Sequence, residues 1–264
     1  MTSAVLAEHP LPVPDTLRPW IAGIAATSAD VVAPAPFTHL PDPAAKLVVR
    51  VEGSGRREAM VVGPRTRASY HAGERPVSCV QLRLAPGTAR PLLGVPAVDL
   101  VGRVVPLGAL PAPAARRLAA ALPEPAAGRM ADHLADILSA AVEADRSRAG
   151  LLRAAVAALS AGPDGAPVRV REAARRLAVS ERQLRNLFAE GVGLSPKHYA
   201  RIDRVRHVLT RAGSVPWAEL AAAVGYYDQS HMTSDFRALM GVPPRAFFTG
   251  RLPRARPCQE FARR

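Results

Sequence analysis

The stretch GYYDQSHMTSDFRALMGVPP, residues 225–244, contains the features that decide the fold of the C-terminal part of the chain. Asp228 is placed to accept hydrogen bonds from the free amides of a helix start, and Gly-Val-Pro-Pro is a sequence at which helices end. Met232 and Phe236 are four residues apart and share one helix face. The remaining positions are mostly polar, whereas a helix that only packed into a core would carry more Leu and Ala. The pattern predicts a capped helix that offers hydrogen-bonding side chains to a partner outside the protein.

A second copy of this pattern lies upstream. SERQLRNLFAEGVGLSPKHY, residues 180–199, aligns with DQSHMTSDFRALMGVPPRAF, residues 228–247, at a constant offset of 48 positions. The offset pairs similar residues at six positions: Ser180 with Asp228, Leu184 with Met232, Phe188 with Phe236, Gly193 with Gly241, Pro196 with Pro244 and Tyr199 with Phe247. Six chemically similar pairs at one offset indicate a duplicated structural unit.

Each capped helix is preceded by another short helical pattern, over residues 170–177 in the first copy and 216–224 in the second. Ala178 and Gly225 then begin the turn. Two helices joined by a three- or four-residue turn form a helix-turn-helix unit. The sequence therefore predicts two such units.

The outward faces of the two capped helices carry the candidate DNA contacts. Arg, Asn, Gln, Ser and Thr are the side chains suited to base edges in a major groove. The residues predicted to contact bases are Arg182, Arg185, Asn186, Gln229, Ser230, Thr233 and Ser234. Those predicted to contact the DNA backbone are Lys197, Arg201, Arg204 and Arg237.

A helix predicted over residues 195–212 joins the two units. About 16 residues of helix span roughly 24 Å. Such a strut would hold both capped helices on one side of DNA, where successive major-groove segments are about 34 Å apart.

The distribution of charge agrees with a polyanionic partner. The net charge is +13, and residues 161–264 carry 18 basic and 9 acidic side chains, a surplus of +9. Basic charge concentrated in one part of a chain is typical of nucleic-acid binding. A non-specific architectural DNA protein would show the same surplus, but the polar faces that lack lysine favour sequence-specific binding.

The chain length suits two domains, and the fold class predicted is α+β. Residues 1–113 are predicted to form a β-rich sensor or dimerisation domain, with strands at 46–51, 60–62 and 77–84, and residues 114–161 a helical connector. The Pro/Gly stretch AGPDGAP, residues 161–167, indicates a boundary. Residues 162–250 are predicted to form an all-α domain with the two helix-turn-helix units, able to fold and bind DNA alone, followed by a basic tail over 251–264.

No catalytic residue, metal site or cofactor is predicted. Cys79 and Cys258 fit no zinc-ligand spacing. The alternative is a metal-dependent small β-barrel enzyme fused to a DNA-binding module, with His39, His71 and Glu74 as ligands. The chain has neither a signal-peptide pattern nor an apolar run of membrane-spanning length, which predicts a cytoplasmic protein without a membrane partner.

The C-terminal part resembles the AraC/XylS family of bacterial transcription regulators. The resemblance covers about residues 150–250 and rests on SERQLRNLF, GLSPKHYARIDRVRHVL and VGYYDQSHMTSDFRALMGVPPRAFF. It implies seven helices and sequence-specific binding to promoter DNA, as an activator or a repressor, with RNA polymerase and a second copy of the chain as candidate partners. It also implies the same base-contacting positions as above. Members commonly have Arg where this chain has Asn186 and Ser234, and Gly where it has Ala178, and the loss of the two arginines predicts a modest affinity for DNA.

The N-terminal part is similar to an uncharacterised β-rich domain found ahead of such DNA-binding modules. The similarity rests on LRLAPGTARPLLGVPAVDLVGRVVPLGAL, residues 82–110, and on the preceding VVGP. It implies that this domain senses a small-molecule effector or mediates dimerisation. The PDG-type turn usual in such domains is replaced by Leu-Pro-Asp-Pro at residues 40–43.

Overall fold

The computed structural model describes residues 4–5, 9–28, 36–51, 54–72, 78–121, 135–137, 146–160, 168–213 and 215–257. Glu74, Cys258 and the predicted linker at 161–167 lie outside these ranges. Between residues 121 and 146 of the predicted helical connector, only residues 135–137 are described, and they are helical. None of the described helices is both long enough and apolar enough to cross a bilayer.

A six-stranded antiparallel sheet forms the centre of the N-terminal half, in the order β2-β3-β8-β5-β6-β9. Val80, Leu82 and Leu84 alternate with polar residues along β8, so these three apolar side chains share one face. The strands are β2 (His9–Leu11), β3 (Ile21–Ser28), β5 (Lys46–Val51), β6 (Arg57–Val62), β8 (Ser78–Leu84) and β9 (Val104–Pro106). The strands predicted at 46–51, 60–62 and 77–84 thus correspond to β5, the end of β6 and β8.

A second sheet combines segments from both ends of the chain. Its order is β1-β4-β7-β10, with β1 (Ala4–Val5), β4 (Phe37–His39), β7 (Ser69–Ala72) and β10 (Arg256–Pro257). β10 pairs parallel to β7, with Arg256 opposite His71. The beginning of the segment predicted as a basic tail therefore returns to the N-terminal sheet.

Short helices cover one face of the six-stranded sheet. They are α1 (Ala89–Leu93) and α2 (Pro113–Ala121), together with 3-10 turns at Asp15–Leu17, Ala97–Leu100 and Leu107–Ala109. Leu92, Leu93 and Leu118 have no exposed surface and pack with Leu47 and Val61 of the sheet. This contact forms the hydrophobic core of the N-terminal half.

Helices make up the C-terminal half, as predicted. They are α3 (Arg146–Leu159), α4 (Val170–Arg176), α5 (Glu181–Gly191), α6 (Pro196–Arg211), α7 (Trp217–Ala223), α8 (Gln229–Met240) and α9 (Pro244–Phe248). Between residues 146 and 250, the described part of the chain thus holds seven helices. α4 with α5, and α7 with α8, form the two predicted helix-turn-helix units, and α6 joins them. The predicted α+β fold class is confirmed.

The packing of α3 bears on the domain boundary. Leu152, Ala155 and Leu159 of α3 are at most 2% exposed and belong to the same apolar cluster as Phe188 and Phe236. The sequence pattern predicts that α3 is part of a connector and that the C-terminal domain begins at 162. Because α3 supplies side chains to the core of that domain, we propose that the folding unit begins at Arg146.

Candidate DNA-binding surface

Both capped helices begin as their sequences predict. Ser180 Oγ accepts a hydrogen bond from the Gln183 amide at 3.1 Å, and Gln183 Oε1 accepts one from the Ser180 amide at 2.8 Å. This reciprocal pair is a capping box. In the second unit, Asp228 Oδ1 accepts from the His231 amide at 2.7 Å. The caps fix the residue at which each helix starts, and hence the face that each turns outward.

The turn of the second helix-turn-helix unit is one residue longer than the turn of the first. Val179 and Tyr226 occupy equivalent positions, because their amides donate to the Ala174 and Ala221 carbonyls respectively. Ser180 follows Val179 directly, whereas Tyr227 is inserted between Tyr226 and the cap Asp228. Tyr227 is 94% exposed, so the additional residue projects a phenol ring beside the start of α8. The predicted set of DNA contacts omits this residue, although its one-residue excess is visible in the alignment of the two units.

The apolar faces of α5 and α8 are buried. Leu184 and Phe188 are fully buried in the first unit, as are Met232, at 1%, and Phe236 in the second. The residues predicted to contact bases lie on the opposite faces. Thr233 is half-buried and the other six, Arg182, Arg185, Asn186, Gln229, Ser230 and Ser234, are exposed.

The four predicted DNA-backbone residues fall into two groups. Lys197 and Arg237 are exposed. Arg201 Nε and Arg204 Nη2 instead lie 2.9 and 3.5 Å from the carboxylate of Asp235, and their side chains are only 30% and 18% exposed. Arg204 also lies over the ring of Tyr226, 4.8 Å from its centroid. A DNA phosphate would have to compete with an internal carboxylate for Arg201 and Arg204.

Asp235 is the second residue that the sequence pattern did not single out. It lies on the buried side of α8, 7% exposed, at the position that Leu187 occupies in the first unit. A carboxylate at an apolar repeat position is costly to bury without a counter-charge. Arg201 and Arg204 of α6 supply that charge, so an ion pair attaches the second capped helix to the connecting helix.

The two histidines of the alternative metal site do lie together. Their ring centroids are 5.3 Å apart, on the neighbouring strands β4 and β7. Burial, followed by the charges of Arg65, His71 and Lys46, lowers the pKa of His39 to about 3. Positive charge nearby disfavours a cation as well as a proton. The described part of the chain has no group of three or more His, Cys, Asp or Glu side chains arranged to hold a metal ion.

Comparison with known families agrees with this geometry. Residues 173–250 match the family model described as "Helix-turn-helix domain". The chain carries an AraC-type helix-turn-helix domain. This domain makes the chain a DNA-binding transcription regulator. Residues 11–106, ahead of the AraC-type domain, match a second family model, described as "Domain of unknown function (DUF6597)". No curated protein matches the sequence.

Similar solved structures include proteins from three bacteria. An AraC-type transcriptional regulator from Chromobacterium violaceum is 28% identical, with a TM-score of 0.33, and the match covers 39% of this chain and 92% of that one. The C-terminal domain of AraT, a response regulator from Geobacillus stearothermophilus, is 22% identical, with a TM-score of 0.34 over 39% of this chain and 88% of that one. ToxT from Vibrio cholerae is 10% identical, with a TM-score of 0.41, and the match covers 86% of this chain and 96% of that one.

Proposed function

We propose that the protein binds a specific promoter sequence by inserting α5 and α8 into two successive major-groove segments. The observation that carries this proposal is the repeat itself. Two helices, each with an N-cap side chain that accepts from a main-chain amide and each with a largely apolar buried face, are joined by one 16-residue helix, and their exposed faces carry side chains that hydrogen-bond base edges. The ion pairs of Asp235 in α8 with Arg201 and Arg204 in α6 support a fixed angle between these two helices.

In this proposal Arg182 and Gln229 are the principal base contacts, one in each unit. Arg donates two hydrogen bonds to guanine O6 and N7, and Gln pairs in the same two-bonded way with adenine N6 and N7. Each such pair discriminates against a wrong base by about 1–3 kcal/mol. Arg185, Asn186, Ser230, Thr233 and Ser234 support these two contacts, and Lys197 and Arg237 contact phosphates.

Selection of bound sequences from randomised DNA tests the proposal. Arg182→Ala should relax the preference at one or two base pairs in one half of the site, and Gln229→Ala should do so in the other half, about 10 base pairs away. Arg116→Ala, an exposed arginine of α2, is the matched control and should leave the motif unchanged. Loss of preference at the same base pairs in both variants would contradict the two-segment model.

Phosphate contacts are tested by salt dependence. Lys197→Ala should weaken binding to all sequences equally and reduce the slope of log affinity against log salt by about 0.9, because one fewer counterion is released. A slope that stays the same would remove Lys197 from the backbone contacts.

We further propose that the N-terminal domain modulates this activity through a small-molecule effector or through dimerisation, and that RNA polymerase is a partner at the promoter. Hydrogen bonds between the N-terminal half and the AraC-type domain, among them those from Tyr70 to Met240 and from Arg206 to Pro41, support modulation. Light scattering of the purified protein tests for a dimer. Transcription in vitro from the selected site distinguishes activation from repression.

A further inference from the structure

The two helix-turn-helix units differ in charge. Residues 170–191, which form the first unit, carry five arginines and three acidic side chains. Residues 217–240, which form the second unit, carry one arginine, Arg237, and three acidic side chains. Lys197 and Arg245 follow at equivalent positions and leave this difference unchanged. Since cations neutralise DNA phosphates, the second unit can form far fewer ionic contacts with DNA than the first.

The starts of the two capped helices differ in the same direction. Ser180, the cap of α5, is uncharged, and the exposed Arg182 and Arg185 follow shortly after it. Asp228, the cap of α8, places a carboxylate at the corresponding point, and the residues after it include no arginine or lysine before Arg237. The positive end of the α8 dipole, which can attract a phosphate, is thus neutralised within the protein. The start of α8 therefore needs an uncharged contact to hold a DNA backbone.

Tyr227 lies at this point, on a backbone that is fixed on both sides. Tyr226, the residue before it, is 6% exposed, and its amide donates to the Ala221 carbonyl at 2.9 Å. Asp228, the residue after it, caps α8 by accepting from the His231 amide. Because both neighbours are held, the 94% exposed side chain of Tyr227 projects from an ordered turn.

A tyrosine in this position suits the sugar-phosphate backbone of DNA. The N-terminal residues of a recognition helix enter the major groove, so the residue before the cap lies at the edge of the groove, where the phosphates are. The tyrosine hydroxyl is among the side-chain groups that donate to phosphate oxygens. The side chain has two rotatable bonds, so little conformational entropy is lost when the ring is immobilised.

We propose that Tyr227 contacts the DNA backbone beside the second major-groove segment, in place of the ionic contacts that the second unit lacks. Its hydroxyl donates to a phosphate oxygen, and its ring packs against the neighbouring deoxyribose. The first unit then supplies most of the ionic attachment to DNA, and the second unit is attached largely by hydrogen bonds and by this ring. The inference rests on the proposed binding to two groove segments and adds a contact outside the base-contacting set.

Fluorescence anisotropy of the full-length protein with two duplexes, one carrying the selected site and one of mixed sequence, tests the proposal. Tyr227→Phe should weaken binding to both by at least about tenfold, the loss expected for a hydrogen bond to a charged group, and Tyr227→Ala should weaken it further. Neither variant should change the slope of log affinity against log salt, because an uncharged side chain releases no counterion. Lys197→Ala, which removes a cation, should reduce that slope.

Tyr227→Arg is an independent test by gain of charge. With a phosphate beside residue 227, the added guanidinium group should make the salt slope steeper by about 0.9. Leu11→Ala, which removes a 44% exposed apolar side chain from β2, is the matched control and should change the affinity by less than about twofold. The melting temperature of Tyr227→Ala should stay within about 2 °C of the native value, since so exposed a side chain adds little stability.

Native affinity in Tyr227→Ala, or an unchanged salt slope in Tyr227→Arg, would overturn the inference. Weaker binding of Tyr227→Ala that is confined to the selected site and accompanied by an altered motif would also overturn it, because the phenol would then contact a base. A native protein that selects no motif would contradict base contacts in two groove segments. The Tyr227 contact would still be measured on the mixed-sequence duplex, because backbone contacts carry no sequence information.

Discussion

Ala178 is an alanine in a backbone conformation that favours glycine. Its φ is 52°, in the left-handed region, and it is the one non-glycine residue of the described chain with positive φ. Gly225 has φ 80° at the equivalent place in the second unit. For an L-residue with a Cβ atom, this conformation costs about 1–2 kcal/mol of steric strain, whereas glycine adopts it without that strain.

Ala178→Gly is therefore expected to stabilise the protein. The relief of steric strain exceeds the additional entropy of glycine in the unfolded chain, leaving a gain of about 0.5–1 kcal/mol in the free energy of unfolding. Ala222→Gly, at an exposed position inside α7, is the control and should lose about 1 kcal/mol. Chemical denaturation measures both, and a loss of stability in Ala178→Gly would show that the turn does not store this strain.

His39 gives the N-terminal half a predictable response to acid. Its pKa is lowered to about 3 in the folded protein, while an unfolded histidine titrates near pH 6.5. Between these values the unfolded chain binds more protons, so stability falls as the pH falls, by at most about 1.4 kcal/mol per pH unit. His39→Gln should flatten this slope between pH 6.5 and 3, as followed by denaturation at a series of pH values.

At the scale of elements, one buried position of α8 is held by charge where the equivalent position of α5 is held by apolar packing. Asp235 occupies the position of Leu187 and joins α8 to α6 through Arg201 and Arg204. An ion pair has a preferred direction that a leucine contact lacks. The Asp235 carboxylate therefore adds a directional contact between α8 and α6 to their apolar packing.

Asp235→Asn should weaken the second half of the DNA site more than the first. It leaves two half-buried guanidinium groups without their counter-charge, with an expected loss of about 1–2 kcal/mol of stability after allowance for their partial exposure. Glu190→Gln breaks the exposed pair with Arg148, 2.6 Å apart, and should cost less than about 1 kcal/mol. Thermal denaturation and the selected DNA motif of each variant test this. Equal losses in both would mean that Asp235 contributes no more than a surface pair.

The sequence predicts those parts of the fold that depend on residues close together in the chain. Ser180, Asp228 and Phe188 act within one helical turn or one repeat, and β8 is visible in the alternation of its own side chains. Asp235 and the pairing of β10 with β7 are decided by partners far away in the sequence. Tyr70 and Met240, for example, are separated by 170 positions. No local periodicity indicates such a pair, so the contacts between the two halves are visible only in the structure.

At the scale of the whole molecule, the C-terminal folding unit extends further than the linker pattern suggests. A fragment of residues 162–250 lacks Leu152, Ala155 and Leu159, and burial of each leucine is worth about 1.5–3 kcal/mol. A fragment of residues 146–250 should therefore show a cooperative thermal transition in far-UV circular dichroism, and one of residues 162–250 should not. Leu152→Ala in the longer fragment is the control and should lower its melting temperature. A cooperative transition of the shorter fragment would restore the boundary at 162.

The end of α8 has a consequence for how such regulators are recombined. The Ala68 amide donates to the Leu239 carbonyl at 2.8 Å, and the Tyr70 hydroxyl donates to the Met240 carbonyl. The last carbonyls of a helix have no partner within the helix, and here another domain supplies the donors. Burial raises the pKa of Tyr70 to about 12, so that its proton is present throughout the neutral range. In a chimera that joins a foreign N-terminal domain to this AraC-type domain, the last two carbonyls of α8 would lack these hydrogen-bond donors unless the 68–70 segment is also transferred. The two domains are therefore not freely interchangeable.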